Sequence, residues 1–165
     1  MAADVTVVVA VEDEGTVGVV GAAAAHIAME LNATKIVLLH VLEHHSVSGG
    51  LLGLTLPVPV AETLDECGSL LARAEEAVKA EYSALGKDVP SIARQLEGGD
   101  PGQVISSVAE AAGARAIMVG GRRPHAFGRL AHPDVGAWLR RHTDIPIRVA
   151  PLQASEPSPA EGEVR

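Results

Sequence analysis

The sequence predicts an α/β fold, a single open five-stranded parallel sheet with helices on both faces. Two aliphatic runs, Asp4 to Val11 (DVTVVVAV) and Lys35 to Val41 (KIVLLHV), lack polar alternation, the pattern of strands covered on both sides. Alanine-rich segments of helical period alternate with the apolar runs, giving the order β-α-β-α-β-α-β-α-β. Only Tyr82, Phe127 and Trp138 are aromatic, so the core must be built from Val, Leu, Ile and Ala, which suits tight packing of helices on a parallel sheet. Right-handed crossovers then distribute the helices over both faces.

The first run stops at Glu12, Asp13, Glu14 and Gly15. Thr16 is placed to cap a helix over Val17 to Leu31, with Asn32 as its stop. After the second strand, the segment from Leu42 to Val60 mixes glycines and prolines with leucines and valines. A connection this long is usually functional, and its apolar character points to a cover for the sheet or a partner surface. Ala61 to Leu85 reads as a long amphipathic helix whose stripe is Leu64, Leu71, Val78 and Leu85 with Ala74, Ala77 and Tyr82 nearby, Cys67 close to it as a small packing residue and Gly86 as the stop. Ser91 to Leu96 alternates apolar and polar residues, like a half-buried edge strand. Asp100 then serves as N-cap, Pro101 fits the first helical position and Gln103 completes a capping box for a helix Gly102 to Ala112, with Val104, Ile105, Val108 and Ala112 inward. A short strand Ala116 to Val119, a helix Asp134 to Arg141 and a last strand Ile147 to Ala150 follow. Residues 1–151 form one expected domain, and the polar, proline-containing residues 152–165 an expected disordered tail.

The net charge of −8 argues against general nucleic-acid binding and against a basic membrane patch. Arginine is nevertheless concentrated at positions 115, 122, 123, 129, 140, 141 and 148, against Asp134 and Asp144 alone, which marks either a solvated surface or an anion-attracting loop. The lone Cys67 fits a reducing cytoplasm. No basic-then-apolar leader is expected at the N-terminus, and no apolar run reaches the roughly 18 to 20 residues that span a bilayer.

The chemistry gathers between Ala116 and Val135 (AIMVGGRRPHAFGRLAHPDV), where a buried strand ends in glycine and opens, through an arginine-rich loop, into a helix start. Ligands of open α/β sheets bind outside the carboxyl ends of the strands, so a small anion would bind there. The acidic cluster Glu12, Asp13 and Glu14 has the look of a phosphoacceptor receiver, but no aspartate ends the third strand and no lysine follows a late strand. Neither a Walker loop nor a dinucleotide fingerprint is present. His40, His44, His45, His125 and His132 fall near strand ends without helical ligand spacing or a cysteine partner, and His40 reads as a hydrogen-bonded core histidine. No metal site and no catalytic constellation are expected.

In these residues the chain resembles the universal stress proteins of the UspA type over Val5 to Ala150. The resemblance rests on the opening VVVAVEDE, the second strand IVLLHV, the block EGGDPGQVISSVAEAAGARAIMVGG and the close RRHTDIPIRVA. It implies a Rossmann-like sheet in the order 3-2-1-4-5 and a homodimer through the last strand, here Ile147, Arg148, Val149 and Ala150. Family members that bind ATP resemble one another in a loop Gly-x2-Gly-x9-Gly-Ser/Thr. Laid on this sequence without gaps, it falls on Gly120, Arg123, Pro133 and Asp134, and only Gly120 matches. Arginine does not readily take the positive φ of glycine, proline has no N–H to donate, and an aspartate at a helix start repels a triphosphate. Glu12 stands where the family carries a strand-one aspartate, and the main chain of Val41 stands where it contacts a base.

Two functions follow as expectations. The first is a cytoplasmic, non-enzymatic stress-response regulator with a degenerate nucleotide-binding motif and no cofactor, acting through dimerisation and an unknown protein partner. The second is a sensor for ATP, AMP or a cyclic nucleotide through Glu12, Val41, Gly120, Arg122, Arg123, Arg129 and Asp134, with arginine charge replacing glycine N–H groups.

Overall fold

The computed structural model describes residues 4–13, 15–42, 46–47, 56–57, 64–120 and 134–151. Five strands form one parallel sheet: β1 (Thr6–Ala10), β2 (Lys35–Leu42), β3 (Ser91–Gly98), β4 (Ala114–Gly120) and β5 (Ile147–Ala150). Their order across the sheet is β3-β2-β1-β4-β5, the order implied above. The chain reverses direction across the sheet after β3, so β1 and β4 are neighbours although two strands separate them in sequence.

Helices α1 (Val17–Glu30) and α2 (Leu64–Ala84) cover one face, with Val7, Val9, Val11, Ile36, Leu38 and Met118 beneath them. Helices α3 (Pro101–Ala111) and α4 (Val135–His142) cover the other, over Val8, Ala10, Val37, Leu39, Ile117 and Val119. Alternate residues of β1 therefore enter opposite cores, which is why that run is apolar without a break. β3 is the expected half-buried edge, extended to Gly98 because Leu42 of β2 continues the ladder that far.

Several boundaries differ from the sequence reading, and two differences have a clear cause. Leu64 and Leu85, placed in the core by their sevenfold spacing, are 70% and 53% exposed. A straight helix drifts by roughly 20° per heptad, so the ends of the stripe leave the core while Leu71 and Val78 stay in it, beside Cys67, Leu70, Ala74 and Tyr82. The expected start of α2 at Ala61 lies outside the described residues. Thr16 occupies the N-cap position of α1, but its side chain does not cap; it sits in the helical region, and Asp13 Oδ1 accepts the Thr16 N–H at 3.0 Å instead. Asn32 stops α1 in the left-handed conformation, φ 53°. Within the long connection after β2, Ser46–Val47 pairs antiparallel with Leu56–Pro57.

Candidate functional site

The candidate site is the edge beyond the carboxyl ends of β1 and β4, where the order of the sheet reverses and where open α/β sheets have their ligand crevice. β1 delivers Glu12 to this edge, two residues past its end and exposed. β4 delivers Gly120, its last residue; a Cβ there would meet Val20 Cγ2 of α1 at 3.4 Å, so α1 closes the side of the crevice. β2 delivers Val41, half-buried against the α3/α4 core. Leu39 O accepts from Val11 N–H at 2.8 Å, so the odd residues of β2 turn their backbone groups toward β1. Two residues on, the backbone of Val41 faces the space beyond the end of β1.

His40 locks this end of the sheet. Its ring is buried, and Nδ1 donates to Val11 O at 2.6 Å, the core role expected of it. Among the described residues no group of His, Cys, Asp and Glu is arranged to hold a metal ion. His44, His45, His125 and His132 lie outside those residues, as do Arg122, Arg123 and Arg129.

Of the helices that begin at this edge, α1, α3 and α4 each have an aspartate at their start. Asp13 accepts from Thr16 N–H before α1 at 3.0 Å; Asp100 accepts from Gln103 N–H of α3 at 3.0 Å; Asp134 accepts from Ala137 N–H of α4 at 3.3 Å. Asp100 and Asp134 are the caps read from the sequence, and Pro101 holds the first position of α3 as expected. A carboxylate at each start satisfies free N–H groups and offsets the positive end of the helix dipole.

Two contributors escaped the sequence reading. Asp13 was read as part of an acidic cluster, and its position three residues before Thr16 was the available sign of a cap. Arg140 belongs to the arginine-rich region, but its reach was not evident: a Cβ on Gly136 would lie 3.3 Å from Asp134 Oδ1 and 4.0 Å from Arg140 Nη1. Carboxylate and guanidinium thus flank the same first turn of α4, because Gly136 and Arg140 are four residues apart on one helical face.

A parallel sheet with helices on both faces, its strand order reversing between β1 and β4, defines a class of α/β proteins that place ligands at that point of reversal. Within that class, this chain belongs to the universal stress protein family, whose model matches residues 5–151. The fold is shared with solved relatives of low identity. One is a universal stress protein solved in complex with cAMP, 22% identical, covering 90% of this chain and 97% of its own, with a TM-score of 0.59. Another is the universal stress protein UspA from Lactobacillus plantarum, at 15% identity, 92% and 100% coverage and a TM-score of 0.54. A universal stress protein from Archaeoglobus fulgidus is 19% identical, with 88% and 97% coverage and a TM-score of 0.52. No curated protein matches the sequence. No described helix is long and apolar enough to cross a membrane.

Proposed function

We propose that this chain is a non-enzymatic regulatory universal stress protein of the cytoplasm. In this reading it works as a homodimer through β5 and through contacts with a protein partner, and it does not hold ATP by the family's glycine loop. The observation that carries it is Asp134. The position at which ATP-binding relatives place a phosphate-holding Ser or Thr is here a carboxylate already hydrogen-bonded to Ala137 N–H of its own helix. Arg123 and Pro133, at two glycine positions of the motif, remove further backbone freedom and a donor. The exposed edge of β5, which bears Val149, supports the dimer.

A second reading is favoured by Glu12, exposed two residues past the end of β1 at the reversal of the sheet, and by the relative solved with cAMP. In it the chain senses a nucleotide with Glu12 and the Val41 backbone toward the base and Arg122, Arg123 and Arg129 toward phosphate.

Thermal melts with ATP, AMP and cAMP, with and without Mg²⁺, separate the two. A ligand at about a hundred times its dissociation constant stabilises the fold by roughly 2.7 kcal/mol. The first reading expects no shift with any of them; a shift with ATP overturns it. A shift with a monophosphate or cAMP that vanishes on charge reversal at Arg122 and Arg123 establishes the second. Sedimentation at micromolar concentration tests the dimer directly, and a monomer there removes it.

A further inference from the structure

β3 ends one side of the sheet, and its outer edge carries a row of unmatched backbone groups. Ser91 N–H donates to Thr34 O at 3.1 Å, and Gly99 N–H to Leu42 O at 3.0 Å. In a parallel ladder that phase turns the backbone groups of Ser91, Ala93, Gln95 and Glu97 toward β2 and leaves those of Ile92, Arg94, Leu96 and Gly98 pointing outward. Among the described residues no backbone group pairs with these four. Such an edge is a template for another strand, and natural sheets blunt it with proline, lysine, a bulge or a short strand. β3 uses none of these devices. It runs for 8 residues without proline or lysine, and it keeps its register with β2 from Ser91 to Gly98 without a shift. Its one cation, Arg94, is turned onto the α1/α2 face, with Nε 3.1 Å from Glu75 Oε2 of α2.

We infer that β3 is a partner-binding edge, which takes up an extended, basic segment of another protein as a sixth, antiparallel strand. This rests on the partner-contact reading above and names the surface and the chemistry that the reading leaves open. Alternating donors and acceptors in a straight row are matched by an extended backbone, the basis of recognition by strand addition. A helix or a side-chain surface laid on the same edge would bury those groups unpaired, the costlier outcome. Antiparallel pairing is the more stable direction per residue.

The side chains along the edge set what the segment carries. Ile92 packs against the α1/α2 core, and Leu96, half-buried, shares its face by strand alternation, so apolar residues fit opposite both. Between them Arg94 and Lys79 meet Glu75 and Glu76 in a neutral cluster, which asks for no counter-charge. On the other face Ala93 is small, and Gln95 Nε2 donates to Glu97 Oε1 at 2.8 Å. Glu97 and Asp100, both exposed, make the carboxyl end of the edge acidic. A lysine or arginine opposite Glu97 answers that charge, and in an antiparallel segment it stands at the amino end.

A synthetic peptide KVTTVV, acetylated and amidated, is the probe, and backbone hydrogen exchange of the full chain is the readout. In the free protein the amides of Ala93, Gln95 and Glu97 are expected to exchange slowly and those of Ile92, Arg94, Leu96 and Gly98 fast. Saturating peptide should slow the second set at least about tenfold. The peptide EVTTVV should bind several-fold more weakly at about 10 mM ionic strength, where the Debye length is roughly 30 Å. Leu96→Pro removes an outward N–H that β2 does not use, so the variant should still melt cooperatively while losing the protection. Glu97→Lys should reverse the preference between the two peptides. No protection with KVTTVV, or protection that survives Leu96→Pro, overturns the edge; equal binding of both peptides overturns the basic partner. Association of the free chain beyond a dimer that Leu96→Pro abolishes gives the edge to a second copy instead. The partner-contact reading stands or falls separately, since a melting shift with ATP removes it whatever the peptide does.

Discussion

The two faces of the sheet are closed in different ways. On one, α1 and α2 meet backbone to backbone: a Cβ on Gly21 would lie 2.6 Å from Ala77 Cβ and 2.9 Å from Ala74 O. On the other, α3 and α4 meet through the only tryptophan, whose ring lies against Gly102; a Cβ there would be 2.7 Å from Trp138 Cε3. The first seam joins helices of 14 and 21 residues, while α4 has only 8. Neither atom facing Gly21 can move without moving a helix. The ring facing Gly102 can tilt, and α4 is short enough to follow. The tightly fixed seam lies on the face away from Asp134, and the adjustable one on the face that carries it. The α1/α2 seam is the rigid one, and the α3/α4 seam the one that can adjust.

The largest effect expected from breaking this contrast is at Gly21. Gly21→Ala gains about 1 kcal/mol of helix propensity but meets fixed atoms, and overpacking of this kind costs about 1–3 kcal/mol. A net loss of up to about 2 kcal/mol in urea melts is expected, and a net gain would show that the seam yields after all. Gly102→Ala should cost about 1 kcal/mol, and Trp138→Ala in the same chain should absorb that increment, a non-additivity that a double-mutant cycle reads. Independent, additive losses would mean that ring and glycine do not confront each other. Asp134→Ala removes a cap from the adjustable side and should also cost about 1 kcal/mol. The proposed function adds that this change, by freeing the start of α4, admits phosphate; added inorganic phosphate should then raise the melting temperature of the variant but not of the wild type.

The smallest effect is silent at neutral pH. Burial on the α1/α2 face pushes the Tyr82 hydroxyl above its usual value of 10.0. For an acid whose folded pKa is raised, the unfolded state loses its proton first as pH climbs, so stability falls once pH passes the unfolded value near 10. Tyr82→Phe should match the wild type below that point and decline less steeply above it. Equal slopes would mean that the hydroxyl is not held in a dry environment.

The order of the elements was legible because each rests on a local signal: the unbroken apolar runs of β1 and β2, Asp100-Pro101 before α3, Asp134 before α4, and Ile147 to Ala150 as a strand with those limits. The middle of the α2 stripe, Leu71 and Val78, was legible too, but its ends at Leu64 and Leu85 were not, because sevenfold spacing fits a 3.6-residue helix only over a short span. The cap of α1 was misplaced because Thr16 and Asp13 compete for one role, and their backbone angles decide it. Of the candidate site, Glu12, Val41, Gly120 and Asp134 fall at the crevice edge as their strand and helix ends required. Arg140 depended on the direction of a long side chain, which residue order alone does not encode.

Trp138 also gives the molecule an optical property of its own. The indole stacks on the imidazole of His142, with centroids 3.9 Å apart and planes within 8°, and His142 Nδ1 donates to Trp138 O. As the chain's single tryptophan, it is the sole source of indole emission, and contact with an imidazole quenches such emission. A displacement of α4 that parts the two rings would therefore brighten the protein. Fluorescence of the unlabelled chain can report in real time on events at the crevice and at β5.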